Sequence, residues 1–268
     1  MKKFYFKKIQ QRDLLLFDKN YAKLVFDGIT HEEVNLSKFN VFSFFKFLGN
    51  FFRFFFKLSF RDIYLKTILD LYNPKAVISH HIDGYSYRVK NLNKKIFCIV
   101  YQHSMFYEYE KKIYKKLFDN KSCDLFITFH PNDAKFLKQL INAKFISLGS
   151  LKNNELKLES KTNKTIPLLF ISEYRKDATN LHYEQLIKTC QYIKQFCDYK
   201  NIVPYVALSS NREDKLKYNF KTEELEFYKQ HLKNFSWLKE CSYTTANKSN
   251  LIISLSSNMG IEILSRKL

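Results

Sequence analysis

The residues best suited to chemistry in this sequence gather directly after short apolar runs. AVISH is followed by HIDGYSYR, which sets His80, His81, Asp83 and Gly84 close together. Asp83 is a candidate base for a hydroxyl proton, and Gly84 permits a tight turn. The structural alternative for Asp83 is an Asx-turn or a helix cap. IFCIVY is followed by Gln102, His103 and Ser104. An imidazole there can relay protons or contact a phosphate near neutral pH, or simply bond to backbone. DLFITF is followed by His130-Pro131, a helix start that Asn132 or Asp133 is expected to cap. LLFIS is followed by Glu173 and Arg175, where Arg175 can hold an anionic group or join a surface ion pair. LIISL runs into SSNMGIE, which opens a helix with Ser256, Ser257 and Asn258. Free N–H groups at a helix start suit phosphate, and Glu262, about one turn in, suits the hydroxyls of a sugar. The alternative is serine capping with Glu262 completing a capping box.

These clusters need elements that bring them together. DLLLF, KLVFD, AVISH, IFCIVY, DLFITF and KFISL are continuous apolar runs, the pattern of strands buried on both faces. Helical segments alternate with them, with a short polar link between AVISH and IFCIVY and a Tyr/Lys helix near 107–118. The alternation restarts with the strands LLFIS, IVPYVAL and LIISL. The expected fold is α/β, with two Rossmann-like doubly wound parallel-sheet domains. Residues 1–150 form the first, 151–167 a polar linker and 168–268 the second. The second shows three strands and stops inside a helix, so it is expected to be incomplete. Ligands bind beyond the carboxyl ends of strands in such sheets, which is where the polar clusters fall.

The stretch FSFFKFLGNFFRFFFKLSF carries Lys46, Arg53 and Lys57 among its phenylalanines. On a helix the three cations share one narrow arc, and one aromatic helix is expected over 41–72, stopped by Asn73-Pro74. A central charge costs about 2.5–3.5 kcal/mol to insert in a bilayer, far more than a Phe returns. The helix is therefore expected to cover one side of the first sheet and to present its basic ridge, with some phenylalanines, to an anionic membrane surface.

The formal net charge of +19 favours anionic partners. The lysines are dispersed and the aromatics follow core periodicity, which argues against nucleic acid as the partner. Five cysteines (Cys98, Cys123, Cys190, Cys197 and Cys241) form no CxxC pair and no zinc spacing. They read as free thiols in a reducing cytoplasm. The basic start lacks the apolar core of a leader peptide. No GxGxxG or Walker A pattern is present.

The ordered pieces LLLFDKN, NPKAVISHHID, IVYQHS, CDLFITFHPND, KFISLGSLKNN, LLFISEYR and SYTTANKSNLIISLSSNMGIEIL cover most of the chain. Together they resemble bacterial surface-carbohydrate biosynthesis proteins of the GT-B glycosyltransferase architecture. The resemblance implies transfer of a sugar from a nucleotide-sugar donor to a cell-surface glycan or lipid-linked acceptor, at the inner face of the cytoplasmic membrane. It implies phosphate contacts from Ser256, Ser257 and Asn258, a sugar-hydroxyl contact from Glu262, and Asp83 or His103 as base. It implies no bound metal and no cofactor beyond the nucleotide-sugar substrate. Ser104 stands where such families often have Gly after the QH pair. The alternatives are a non-catalytic or truncated partner subunit and a polyol-phosphate transferase on the same fold.

Overall fold

The computed structural model describes residues 3–4, 11–17, 28–35, 41–82, 84–104, 106, 111–150, 163–175, 179–208, 220–237, 242–255 and 257–265. The chain divides into two compact units, Met1–Leu156 and Lys157–Leu268.

The first unit is built on a six-stranded sheet in which every pairing is parallel. Its strands are β2 (Leu14–Phe17), β3 (His31–Val34), β5 (Ala76–His80), β6 (Phe97–Tyr101), β7 (Ser122–Thr128) and β8 (Asn142–Ser147). Their order is β3-β2-β5-β6-β7-β8. A two-stranded parallel pair, β1 (Lys3–Phe4) and β4 (Val41–Phe42), stands apart. The apolar runs form strands because both sides of the sheet are covered. Leu15, Phe17, Val77, Val100 and Phe126 join one core, while Leu14, Leu16, Ile78 and Tyr101 join another on the opposite side. Each fully buried side chain of this size contributes about 1.5–3 kcal/mol.

Several expectations change here. The segment KLVFD lies outside the described residues. The edge strand β3 reads HEEV and buries little beyond Val34, so no apolar run announces it. The expected polar link after AVISH is in fact a helix, α3 (Tyr85–Leu92). Gly84 adopts a left-handed φ of 68° just before it, a conformation that costs glycine little. Buried Ser86 then ties the helix to the sheet, donating to the Ile99 carbonyl at 2.8 Å and bonding Ser79 Oγ through its backbone N–H at 3.0 Å.

The single aromatic helix expected over 41–72 is two helices, α1 (Phe44–Phe54) and α2 (Phe60–Tyr72). Ser59 takes an extended backbone and accepts a cap bond from Asp62 N–H at 3.2 Å, so a new helix starts there. It is α2 that covers the sheet, burying Tyr64, Leu65, Ile68 and Leu69 against it. α1 lies on α2 and buries none of its residues fully. Asn50 of α1 donates to Asp70 at 3.0 Å, and Lys46 donates to the Asp70 carbonyl at 2.6 Å. Asn50, and the ammonium of exposed Lys46, thus reach toward α2, where an outward-facing ridge was expected, while Phe44, Phe45 and Phe52 are turned toward solvent and Phe47, Phe51 and Phe54 are half-buried. Two further helices, α4 (Lys111–Phe118) and α5 (Pro131–Leu137), complete the described part of the unit.

The second unit carries a four-stranded sheet, again parallel at every pairing. Its strands are β9 (Ile166–Ile171), β10 (Tyr205–Ala207), β11 (Ser236–Trp237) and β12 (Ser249–Ile253), in the order β11-β10-β9-β12. β9 starts at Ile166, inside the segment read as linker. The helices are α6 (Asn180–Lys200), α7 (Phe220–Leu232), α8 (Ser242–Asn247) and α9 (Asn258–Ser265). Leu168 and Phe170 pack with Leu186, Cys190 and Tyr228 on one side. Leu169 and Ile171 pack with Ala246 and Ile263 on the other. Buried Cys98, Cys123 and Cys190 are free thiols, and burial pushes each up to about 12. Cys241 lies outside the described residues.

Candidate functional site

Strand order marks one position in each sheet. In the first, the order reverses between β2 and β5, and in the second between β9 and β12. Parallel α/β sheets open a crevice at such a switch point, outside the carboxyl ends of the strands. His80 and His81 fall beside the first and Glu173 and Ser257 beside the second, while Gln102 and His130 follow β6 and β7.

In the first unit, buried His80 ends β5 and buried His81 follows it. The His81 backbone N–H donates to Tyr101 O at 3.0 Å, which extends the ladder by one residue. Its ring Nδ1 accepts from the His103 backbone N–H at 3.0 Å, so the neutral ring carries its proton on Nε2. Burial first, then the neighbouring His103 and His80, lower the His81 pKa to about 3. His81 is therefore a neutral strut that fixes the backbone of His103. The His80 and His103 rings lie 5.5 Å apart between centroids, and His80 Nδ1 accepts from Ile82 N–H at 3.2 Å. Asp83 lies outside the described residues.

Gln102 straps the ends of β6 and β7 together. Its backbone N–H donates to Ile127 O at 2.8 Å, its side-chain Oε1 accepts from Phe129 N–H at 2.7 Å, and its Nε2 donates to Ser104 O at 3.0 Å. His130 caps α5, accepting from Asn132 N–H at 3.2 Å, where Asn132 or Asp133 was expected to cap. The reason is Pro131, which fixes the first helical turn and leaves the preceding extended residue as the cap. Asp133 lies in the first turn, and burial raises its pKa against the lowering effect of Gln102 and His130. Its Oδ2 is buried without a hydrogen bond among the described residues. No cluster of three or more metal-binding side chains is found among the described residues.

In the second unit, Glu173 follows β9 and is 5% exposed. Its Oε1 accepts from Leu255 N–H at 2.9 Å, Ser257 N–H at 2.8 Å and Ser254 Oγ at 3.2 Å. The backbone donors at the turn expected to meet a phosphate are thus engaged by a carboxyl oxygen of the chain itself. Ser257 Oγ in turn accepts from Met259 N–H at 3.3 Å, the capping contact of α9. Ser256 lies outside the described residues, as does the side chain of Asn258. Glu262 is buried one turn further on, and its Oε2 accepts from the Tyr243 hydroxyl. With Ser257 as the cap, the third position of α9 is Gly260, so Glu262 stands two residues too far along for a capping box. Arg175 is exposed at the other end of the same segment, and its carbonyl accepts from Tyr183 OH at 2.5 Å.

Sequence reasoning missed a second layer beneath Glu173. Tyr228 OH donates to Ser172 Oγ at 2.7 Å, and Ser172 Oγ donates to Glu224 Oε1. All three residues are buried. The signal was present: Glu224 and Tyr228 are four apart on α7, hence on one helix face. His182 Nε2 donates to the Glu173 carbonyl at 2.9 Å, so the segment is held from α6 as well.

Of the three cations expected at a membrane, Arg53 and Lys57 are exposed beside phenylalanines, and Lys46 is bonded to α2 as described. No helix among the described residues is long and apolar enough to cross a membrane.

Comparison with known proteins adds the family. A search of curated proteins finds no match. Among solved structures, a glycosylation-associated protein complex from Streptococcus agalactiae aligns with a TM-score of 0.38 at 10% sequence identity. That alignment covers 75% of this chain and 43% of the other, so this chain spans under half the length of its structural relative. A family model described as "putative O-antigen biosynthesis protein" matches residues 109–267, more than half of the chain. The match includes His130, Glu173, Arg175, Ser257 and Glu262, and stops short of His81 and His103. The chain belongs to this O-antigen biosynthesis family.

Proposed function

We propose that the protein is a glycosyltransferase that moves a sugar from a nucleotide-sugar donor to a cell-surface glycan or lipid-linked acceptor. In this reading the two parallel-sheet units are the two halves of a GT-B-type enzyme. The observation that carries it is the turn at the second switch point, where the backbone N–H groups of Leu255 and Ser257 converge on one anionic oxygen. Family membership supplies the glycan context.

The donor's phosphates belong at this turn, with Ser256, Ser257 and Asn258 as the contributing residues and exposed Arg175 as a second charge for the diphosphate. Glu173 holds the turn in shape, and an incoming phosphate competes with its carboxylate for the same donors. Glu262, oriented by Tyr243, is the contact for a sugar hydroxyl of the nucleotide. On the acceptor side, His103 or Asp83 takes the hydroxyl proton, with His81 fixing the His103 backbone and Gln102 and His130 framing the site. No metal is required in this scheme.

The test is thermal stability of the purified chain with UDP, GDP, CDP, CMP and dTDP. A ligand that binds only the folded state raises the melting temperature. The expected result is a rise with one of them, reduced in Arg175→Ala, whose side chain is exposed, and in Glu262→Gln, which keeps its bond to Tyr243. The absence of a rise with every nucleotide would overturn the donor assignment.

A further inference from the structure

We propose that the outer face of α1 is a docking surface for an anionic lipid membrane, on which the helix lies without crossing. The inference is independent of the transferase reading. Phe44, Phe45, Leu48, Phe52, Phe55 and Phe56 are all exposed, with Phe52 at 75% and Phe56 at 96%. Isolated exposed apolar residues are ordinary on protein surfaces, but a contiguous patch of this kind marks an interaction site.

The orientation of the helix is what makes the patch specific. An amphipathic surface helix ordinarily turns its apolar side to the core and its polar side to water. Here Phe47, Phe51 and Phe54 are half-buried on the inner side, yet a second set of phenylalanines, Phe44, Phe45 and Phe52, is left in water. Lys46 and Asn50 are spent on Asp70 of α2, at 2.6 and 3.0 Å. Phe47 is the aromatic side chain that reaches the sheet core, stacking edge-on against Phe60 at 5.3 Å. The polar bonds and Phe47 therefore anchor the helix with Phe44, Phe45 and Phe52 outward, a geometry that water alone would not favour.

The charges select the occupant. Arg53 and Lys57 are exposed within the same stretch, the Arg53 guanidinium lying 5.2 Å from the Phe54 ring centre. A second copy of this chain would bring those cations against their own kind, and a net charge of +19 against +19. An anionic bilayer meets both features at once: phenylalanine enters the acyl boundary while Arg53 and Lys57 reach headgroup phosphates. The occupant is therefore lipid.

The test uses the full chain and flotation with vesicles of phosphatidylcholine alone or mixed with phosphatidylglycerol. Wild type is expected to float with the mixed vesicles and much less with the neutral ones. Phe52→Ser combined with Phe56→Ser should weaken that binding at least about tenfold while leaving the melting temperature unchanged, since both side chains stand mostly in solvent. Arg53→Glu combined with Lys57→Glu should abolish the preference for anionic vesicles. Failure of wild type to bind either vesicle, or wild-type binding by the Phe52/Phe56 variant, would overturn the proposal. So would a wild-type dimer in solution that the Phe52/Phe56 variant converts to monomer, because the occupant would then be a second copy.

Discussion

The Glu173 carboxylate accepts the backbone N–H of Ser257 at 2.8 Å, joining the end of β9 to the start of α9. Because the same oxygen also takes Leu255 N–H at 2.9 Å, its loss leaves two oriented donors unpaired. Glu173→Ala should cost about 1–3 kcal/mol of stability, and Glu173→Gln, which keeps an acceptor but loses the charge, should cost less. Urea unfolding of the two variants measures this. If the turn is a phosphate site, pyrophosphate should raise the melting temperature of Glu173→Ala more than that of wild type.

Tyr228, Ser172 and Glu224 form a directed chain, because the Ser172 hydroxyl has one proton and donates it to Glu224. Tyr228→Phe removes the hydroxyl's bonds to Ser172 and to the Glu173 backbone, both neutral, and should cost about 0.5–1.5 kcal/mol. Ser172→Ala removes a donor to a fully buried carboxylate and should cost more, about 1–3 kcal/mol. The ordering Ser172→Ala above Tyr228→Phe in denaturant titrations is the point at issue. The reverse ordering would show that the Ser172 hydroxyl is dispensable to Glu224.

Gly260 sits where a Cβ would come 2.5 Å from the Cβ and Oγ of Ser254. Gly260→Ala should therefore destabilise the second unit by about 1–3 kcal/mol, despite the better helix propensity of alanine. Ser254→Gly in the same chain removes the obstructing side chain and should recover part of the loss. A double-mutant cycle reads the coupling directly, and simple additivity would show that the contact is not the cause.

His81 supplies a pH dependence with a definite sign. Its pKa is lowered to about 3 in the folded protein, against an ordinary 6.5. Between those values the unfolded chain holds a proton on this residue that the folded chain does not. Stability therefore falls as pH drops from 6.5 toward 3, by up to about 1.4 kcal/mol per pH unit from this group. His81→Asn keeps an acceptor near Nδ1 but does not titrate. The slope of stability against pH should be shallower for the variant across that window, and an unchanged slope would place the effect elsewhere.

The parallel strands were legible in the sequence wherever a run is buried on both faces. AVISH, IFCIVY and LLFIS gave themselves away by unbroken apolarity, and each became a strand within two residues of its expected bounds. HEEV escaped because an edge strand needs only backbone pairing on one side, and its glutamates stay largely in water. The break at Ser59 was written as S-F-R-D, a cap signal, but the surrounding aromatic run hid it. Around the candidate site, the strand-end positions could be read from spacing. The partners could not: that Glu173 would meet Ser257, or Glu262 meet Tyr243, depends on strand order, which no local pattern encodes.

Strand order also governs how the chain is made. β2 sits inside the first sheet, and Leu14 pairs with Ala76, ~60 residues further on. During synthesis, one edge of β2 stays open until β5 has emerged, and the phenylalanine-rich stretch emerges in that interval. For that time an unpaired apolar strand and an unsheltered aromatic helix coexist on the nascent chain, the combination most prone to misassociation. The sheet's topology thus makes folding yield depend on synthesis rate and on a surface that can shelter α1 early, and expression with membranes or chaperones in supply should return more folded protein than expression without them.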